Sequence, residues 1–419
     1  KPRPRPARWR GAGSQDRTPP LPRRPGTPCT PMADTALPPG HFLFASDSVT
    51  EGHPDKFCDR VADAVLDACL AQDPEARVAC EACTKQGMVM VLGELETKAS
   101  LNYEQIIREA AKSVGYDSDE KGLDWRTMNV VCAADEQTAD LVQTLATGKA
   151  SEDAGAGEPG TSFGYATDET PELMPMSHLL ATRLSAQLDK ARRDGALTWA
   201  RPDGATQVTV EYAEAPDGSV APARIHSVVV SARRATDVPQ EQAERELMEC
   251  VVRPVMPAGL CDQATVYRLE APKRLAGAAG LSGRRASADL YGGWGAHGGG
   301  ALSGRDGAKL ERAAAYGARW AARSLVSAKL CRRCLVQLSY GPGDARPALV
   351  RVDSYGTAKA CGKTDAELAA SVQRSFDLRP ACLQRDLGLK EPQFQRLSAH
   401  GHVGRADLEL AWERSKELQ

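Results

Sequence analysis

The sequence predicts an α/β (α+β) protein built from three similar sheet-plus-helix layers. Three observations carry this: an order of long helix, two strands and second helix that recurs three times; apolar stripes at helical spacing beginning near residues 56, 173 and 310; and strand-like runs joined by short turns. The first unit opens after Phe42-Leu-Phe44, a short strand. Lys56–Gln72 places Phe57, Val61, Ala64, Val65, Ala68 and Cys69 on one helical face. Arg77–Thr84 and Met88–Glu94 form a hairpin turning at Gln86-Gly87, and Asn102 caps a helix over Tyr103–Val114. In the second unit a helix over Leu173–Arg193 precedes strands Thr206–Tyr212 and Ile225–Ala232, with Pro216-Asp-Gly218 as the turn, and a helix over Gln240–Val252. In the third, a helix over Leu310–Ser327 leads to strands Leu335–Tyr340 and Leu349–Tyr355. A final helix over Asp365–Phe376 opens on a Thr364/Glu367 capping box. The expected organisation is an N-terminal domain over 41–150, a central domain over 151–270, a C-terminal domain over 271–412 and a tail over 413–419.

The repeat is one of architecture, not of residues, so chemistry has to come from the connections. Asp289–Lys309 holds glycine at 292, 293, 295, 298, 299, 300, 304 and 307, too densely for a helix or strand interior. Such a loop feeding a helix start offers backbone N–H groups and the positive dipole end to an anion. Gly299–Asp306 approximates a phosphate-binding loop, with Arg305 and Asp306 in place of its Lys and Ser/Thr. A plain linker is the alternative, and Arg284, Arg285, Arg305 and Lys309 nearby favour a polyphosphate. Gly52 and Pro54 fix a second loop that delivers His53, Asp55 and Lys56 at a helix N-terminus. There they could meet phosphate, metal and a leaving-group oxygen together, although a turn with a capping Asp would read the same way. A third stretch, Glu152–Glu169, reads as a glycine-rich acidic loop, either solvated or contacting an adenosine or metal.

Bulk properties narrow the class. The chain has 419 residues, 42% of them hydrophobic, with no apolar run approaching a membrane span. Residues 1–31 hold nine prolines and eight Lys/Arg against one acid, Asp16, so 1–40 is expected to be a disordered Pro/Arg-rich extension, with Met32 a candidate start. Residues 32–419 carry 45 basic against 54 acidic side chains, a net charge of −9 that gives no support to nucleic-acid binding. Two Cys-x-x-Cys pairs, Cys80/Cys83 and Cys331/Cys334, lie too far apart in sequence and have too few histidines nearby to suggest a zinc ribbon. Scattered cysteines suit a reduced, cytoplasmic compartment.

Three segments then carry a resemblance. Ser48-Val-Thr-Glu-Gly-His-Pro-Asp-Lys56, Phe163-Gly-Tyr-Ala-Thr-Asp-Glu169 and Tyr291-Gly-Gly-Trp-Gly-Ala-His-Gly-Gly-Gly-Ala301 resemble signatures of the S-adenosylmethionine synthetases (methionine adenosyltransferases). Trp199–Asp203, Ser339-Tyr340, Phe376–Pro380 and Gly401–Arg405 are similar to others, collinearly from about His41 to Trp412. Trp294-Gly-Ala and Cys331-Arg-Arg resemble the eukaryotic form most. The resemblance implies a three-domain, pseudo-threefold S-adenosylmethionine synthetase fold. It also implies homodimers or tetramers with the sites at subunit interfaces, and a reaction of ATP with L-methionine that releases phosphate and pyrophosphate. The cofactors implied are Mg²⁺, about two per site, and K⁺; no membrane and no nucleic acid are implied as partners.

By the same resemblance, His53 sits near the leaving O5′, and Lys56, Arg284, Arg285, Arg305 and Lys309 form the phosphate cradle. Asp203, Ser231 and Ala301 line the nucleotide. Glu94 and Gln137 contact methionine. Asp55, Glu311 and Asp47 are magnesium ligands, and Glu81 is the potassium-associated acid. A thioether needs no base to attack, so catalysis of this kind is mostly electrostatic preorganisation and in-line positioning. The chain departs from the family pattern at several points. Asp47 stands for Glu, Glu158-Pro159 for Asp-Gln, Ala205 for Lys, and Thr182 and Arg234 for histidines. Arg285 and Arg305 stand for lysines. Lys273–Gly283 is shortened, losing an aromatic that stacks on adenine and an acid. The expected function is thus methionine adenosyltransferase. The alternatives are a catalytically weakened paralogue that assembles with an active synthetase and modulates it, and a triphosphatase without transfer activity.

Overall fold

The computed structural model describes residues 37–136, 155–235, 237–273 and 279–419. Gln137, Glu152, residues 274–278 of the Lys273–Gly283 segment and nearly all of the expected N-terminal extension lie outside these residues. From Gly40 onward the chain forms one compact unit.

Three sheets organise that unit. In the first, β2 (Arg77–Lys85) and β3 (Met88–Glu96) form the expected hairpin, with Gly87 at φ 77° in its turn. Strand alternation puts Val78, Cys80, Ala82, Val89 and Val91 inward, against Phe57, Val61 and Val65 of α1 (Pro54–Leu70), all of them fully buried. Each valine or phenylalanine among them contributes about 1.5–3 kcal/mol through burial. Helix α2 (Tyr103–Val114) packs beside α1, capped by the Asn102 side chain and ended by Gly115 at φ 93°. A strand not expected from the sequence, β4 (Asn129–Glu136), runs parallel to β3.

The second sheet has the order β1 (His41–Val49), β6 (Ala200–Glu214), β7 (Val220–Arg234), β8 (Val266–Glu270), backed by α3 (Met176–Arg193). Strand β1 is longer than the expected Phe42–Phe44 because all nine of its residues pair with β6. Helix α3 starts three residues later than expected: Leu173 adopts φ 56°, and Pro175 precedes the first turn. The segment read as a helix over Gln240–Val252 is α4 (Gln240–Leu247), followed by a wider π turn over Met248–Val252.

In the third sheet β10 (Arg333–Tyr340) sits between β11 (Leu349–Asp353) and β5 (Gly160–Thr167), with α5 (Leu310–Ser327) across it and α6 (Asp365–Ser375) carrying the expected capping box. Here Gly160–Thr167 corrects the loop expected over Glu152–Glu169. The glycines serve close packing: a Cβ at Gly164 would fall 2.0 Å from the Ala318 carbonyl carbon of α5. The sheets are not contiguous in sequence. Strand β1 belongs to the second sheet, β5 to the third, and β9 (Gly280–Leu281) completes the first by pairing with β2. No described helix is long and apolar enough to cross a membrane.

Candidate active site

The loop between β1 and α1 is locked before it reaches the helix. Thr50 Oγ1 donates to the Pro202 carbonyl at 2.7 Å, and a Cβ on Gly52 would fall 2.3 Å from Pro202 Cβ. His53 is the N-cap of α1, its Nδ1 accepting the Asp55 N–H at 3.2 Å. Its Nε2 lies 3.1 Å from Arg285 Nη2. A neutral imidazole has one lone pair, so it cannot accept on both nitrogens. A guanidinium only donates, so while Arg285 faces the ring Nε2 accepts from it and the proton sits on Nδ1. The Nδ1 cap bond belongs to the other tautomer, protonated at Nε2, which requires Arg285 to turn away. Burial first, and Arg285 next, push the imidazole down to about 4, which keeps it neutral near pH 7.

Asp55 is almost fully buried. It accepts the Leu281 N–H at 3.1 Å and Arg285 Nε at 3.0 Å, with Arg284 Nη1 at 3.7 Å. Arg285 also lies 3.8 Å from Asp47. Asp203, next to the locked Pro202, is pushed up to about 7 by burial, opposed by Arg233 and Arg285. The outer face of the second sheet continues the cluster, since Val49, Ala205 and Ser231 lie side by side and Asp47 is opposite Gln207. Ala301 packs at Gly283, where an added Cβ would meet its own Cβ at 2.6 Å. His53, Asp55, Arg284, Arg285, Asp47, Asp203, Ser231 and Ala301 thus fall in one neighbourhood.

Lys56 does not join them. Its ammonium is 2% exposed, 2.9 Å from Asp59 Oδ2 and bonded to Asp289. The expected phosphate contact is replaced by a buried ion triad, because the third residue of α1 points into the core.

The other expected residues lie apart from that cluster. Arg305 pairs with Glu81 at 2.6 Å on the outer face of the first sheet, where Glu94 is exposed on the neighbouring strand. Lys309 is the N-cap of α5 and half-buried. Glu311 lines a cleft of about 130 Å³ with Gly298, Gly300, His297 and Ser162, too small to hold a nucleotide. Its Oε2 is buried without a hydrogen-bond partner. Among the described residues no hydrogen bond or ion pair links Arg305 or Glu311 to the His53 cluster. Much of the glycine stretch between them is structural. Trp294 packs tilted against Phe44 with ring centroids 4.3 Å apart, the Gly304 amide donates to Asp63 at 2.8 Å, and Asp306 accepts the Val78 N–H at 2.8 Å. The phosphate-loop expectation fails at Gly304 and Asp306 because their polar groups are already used.

Asp47 and Asp55 converge on one guanidinium, so the two carboxylates border one small volume. Such hard donors fit Mg²⁺ sharing phosphate oxygens and water. Among the described residues no three metal-ligating side chains cluster. All the described cysteines are free thiols.

Family models describing the N-terminal, central and C-terminal domains of S-adenosylmethionine synthetase match residues 41–139, 153–274 and 274–414. The chain belongs to the S-adenosylmethionine synthetase family. Membership places it among transferases of S-adenosylmethionine biosynthesis, with the three-domain mixed α/β architecture seen here. The family's substrates are ATP and methionine, its members are generally Mg²⁺- and K⁺-dependent, and they are typically oligomeric. Around this cluster, sequence reading missed Arg233, Asp59 and Asp289. The signal for Asp59 was available: Asp55, Asp59, Asp63 and Asp67 recur every four residues along α1.

Proposed function

We propose that this protein is an active methionine adenosyltransferase whose site is completed across a homodimer. The observation that carries it is the convergence of a neutral His53 with Asp55, Asp47, Arg284 and Arg285 at the N-terminus of α1. ATP would bind with its adenosine along Asp203, Ala205 and Ser231 and its triphosphate at the arginines, drawing Arg285 away from Asp55. With Arg285 withdrawn, Nδ1 of His53 accepts the cap bond and the proton on Nε2 is free to be donated to O5′ as the C5′–O5′ bond breaks. The methionine sulfur attacks C5′ in line, and Arg284 and Arg285 take up the charge gathering on the triphosphate. Asp47 and Asp55, with Glu311 of a second subunit, are the carboxylates available to Mg²⁺. When bound, the metal neutralises phosphate charge. Glu81 is the carboxylate available to K⁺, and Glu94 with Gln137 would hold the amino acid.

The outer face of the first sheet supports the dimer. Leu281, Cys83, Met90 and Val131 form one cross-strand row, Glu81, Leu92 and Ala133 the next, and Leu281 and Val131 are 41% and 37% exposed. Covering this face with a second copy would carry Glu81, Glu94 and Arg305 toward the partner's cluster. Pairs of dimers would give the tetramer, and cytoplasmic residence fits the free thiols. The deciding test incubates the purified protein with ATP, L-methionine, Mg²⁺ and K⁺. S-adenosylmethionine should form, and a yield no higher than that of a His53→Ala control rejects the proposal.

A second reading, a weakened paralogue that modulates an active synthetase through mixed oligomers, is favoured by Ala205. It sits between Val49 and Ser231 on the nucleotide face, where the family pattern has a lysine. Co-expression with an active synthetase separates the two readings, since failure to form mixed oligomers removes this one.

A further inference from the structure

Beneath Arg284 and Arg285 lies a buried charge cluster that the chemistry above does not use. Lys56, Asp59 and Asp289 are at most 3% exposed. Asp59 Oδ1 accepts the Gly283 N–H at 2.8 Å, while its Oδ2 accepts Lys56 Nζ at 2.9 Å. Lys56 also bonds Asp289, whose own N–H donates to the Arg285 carbonyl at 2.9 Å. The Asp289 carbonyl in turn accepts the His402 N–H at 2.8 Å. The segment 283–289 is therefore held at both ends by neighbouring residues of one helix, and the two arginines lie between the fixings. Taking three charges out of water is costly, and such a group is better explained by the geometry it enforces than by net stability. The next turn of α1 repeats the device: Asp63 accepts the Gly304 N–H at 2.8 Å, one residue before Arg305.

We infer that Lys56, Asp59 and Asp289 are positioning residues that fix the 283–289 turn so that Arg284 and Arg285 face His53 and Asp55 ready for a polyphosphate. The inference rests on the proposed function for the identity of the ligand. Asp59 acts through the Gly283 amide and Lys56 acts through Asp289, so neither touches the substrate.

The test is calorimetric titration of the full-length protein with tripolyphosphate in Mg²⁺, with circular dichroism on every variant. Asp59→Ala should weaken binding at least about tenfold, as a misplaced guanidinium pair would. Asp59→Asn keeps an acceptor for Gly283 but turns an amide NH2 toward the Lys56 ammonium, so it should recover only part of that loss. In a background already carrying Arg284→Ala and Arg285→Ala, Asp59→Ala should cost nothing further, because the groups it positions are gone. If Asp59→Ala fails to fold, Lys56→Met, which removes the tie to Asp289, should show the same loss and the same silence in that background. Parent-like binding by the variant that folds, or an equal loss with and without the arginines, overturns the inference and leaves the proposed function standing. No binding of tripolyphosphate by the parent protein overturns both.

Discussion

Two helix N-termini, those of α1 and α5, follow loops that the sequence marks as anion-binding, and they have become different things. At α1 the cap is an imidazole, and the surrounding charges close on one another: Asp55 holds Arg285, and Arg285 touches His53 and Asp47. At α5 no side chain caps the helix, Arg305 has turned to Glu81 on another surface, and Glu311 keeps a buried oxygen unpartnered. The difference teaches that glycine density is a poor guide to a binding loop. The eight glycines before α5 include positions that let backbone approach backbone, as at Gly304, where a Cβ would fall 1.9 Å from the Cys80 carbonyl oxygen. The proposed site lies where a single Gly-His-Pro-Asp turn meets Arg285, 230 residues beyond Asp55.

The strongest way to break the comparison is to delete its better-formed half. Asp55→Ala should lower kcat/KM for S-adenosylmethionine formation about a thousandfold, since it removes both a metal-competent carboxylate and the anchor of Arg285. If the α5 end serves the partner's α1 end, mixing Asp55→Ala with Glu311→Gln subunits should restore up to about a quarter of parental activity, one intact site in each mixed dimer. Rates no higher than the two inactive parents alone would show that the ends do not work across subunits. Opposed charge on the apolar face comes next: Leu281→Glu with Val131→Glu should shift the protein to monomer on a sizing column with light scattering, and activity should fall with the dimer fraction. Ala205→Lys sharpens the α1 side by restoring a cation beside Ser231. Tripolyphosphate affinity should rise about tenfold, as a charge-assisted contact would give.

A separate effect concerns stability. His178 is 2% exposed, and burial pushes its imidazole down to about 4. A group depressed on folding stabilises fully above its unfolded value near 6.5, and that contribution is lost as pH falls toward 4. Between pH 7 and 4.5 the parent should lose up to about 3 kcal/mol that a His178→Gln variant retains, read from urea midpoints at both pH values. Equal losses in the two proteins would remove His178 as the cause.

What was legible in the sequence is what local chemistry dictates. Asn102, Thr364 and Glu367 mark helix starts by their own hydrogen bonds, and the 310–327 helix falls where its alanine and leucine spacing puts it. Strand β5 was not legible, because Gly160 and Gly164 read as loop until a strand 170 residues later and a helix against its face require them. The parallel strands β4 and β8 depend on nearer partners, β3 and β7, but ones that local spacing does not reveal. In the site, the turn carrying His53 and Asp55 could be read locally. The inward direction of Lys56 could not, since it depends on Asp289. The meeting of Arg285 with His53 rested wholly on the family resemblance.

The exchange of edge strands has a further bearing on how the protein could be cut. Because β1 closes the second sheet, β5 the third and β9 the first, a fragment ending at any of the intervening loops would leave a sheet short of a partner strand and expose its bare edge. Pieces expressed apart should therefore aggregate rather than behave as independent modules, and heat or urea should melt the 40–419 region in a single step.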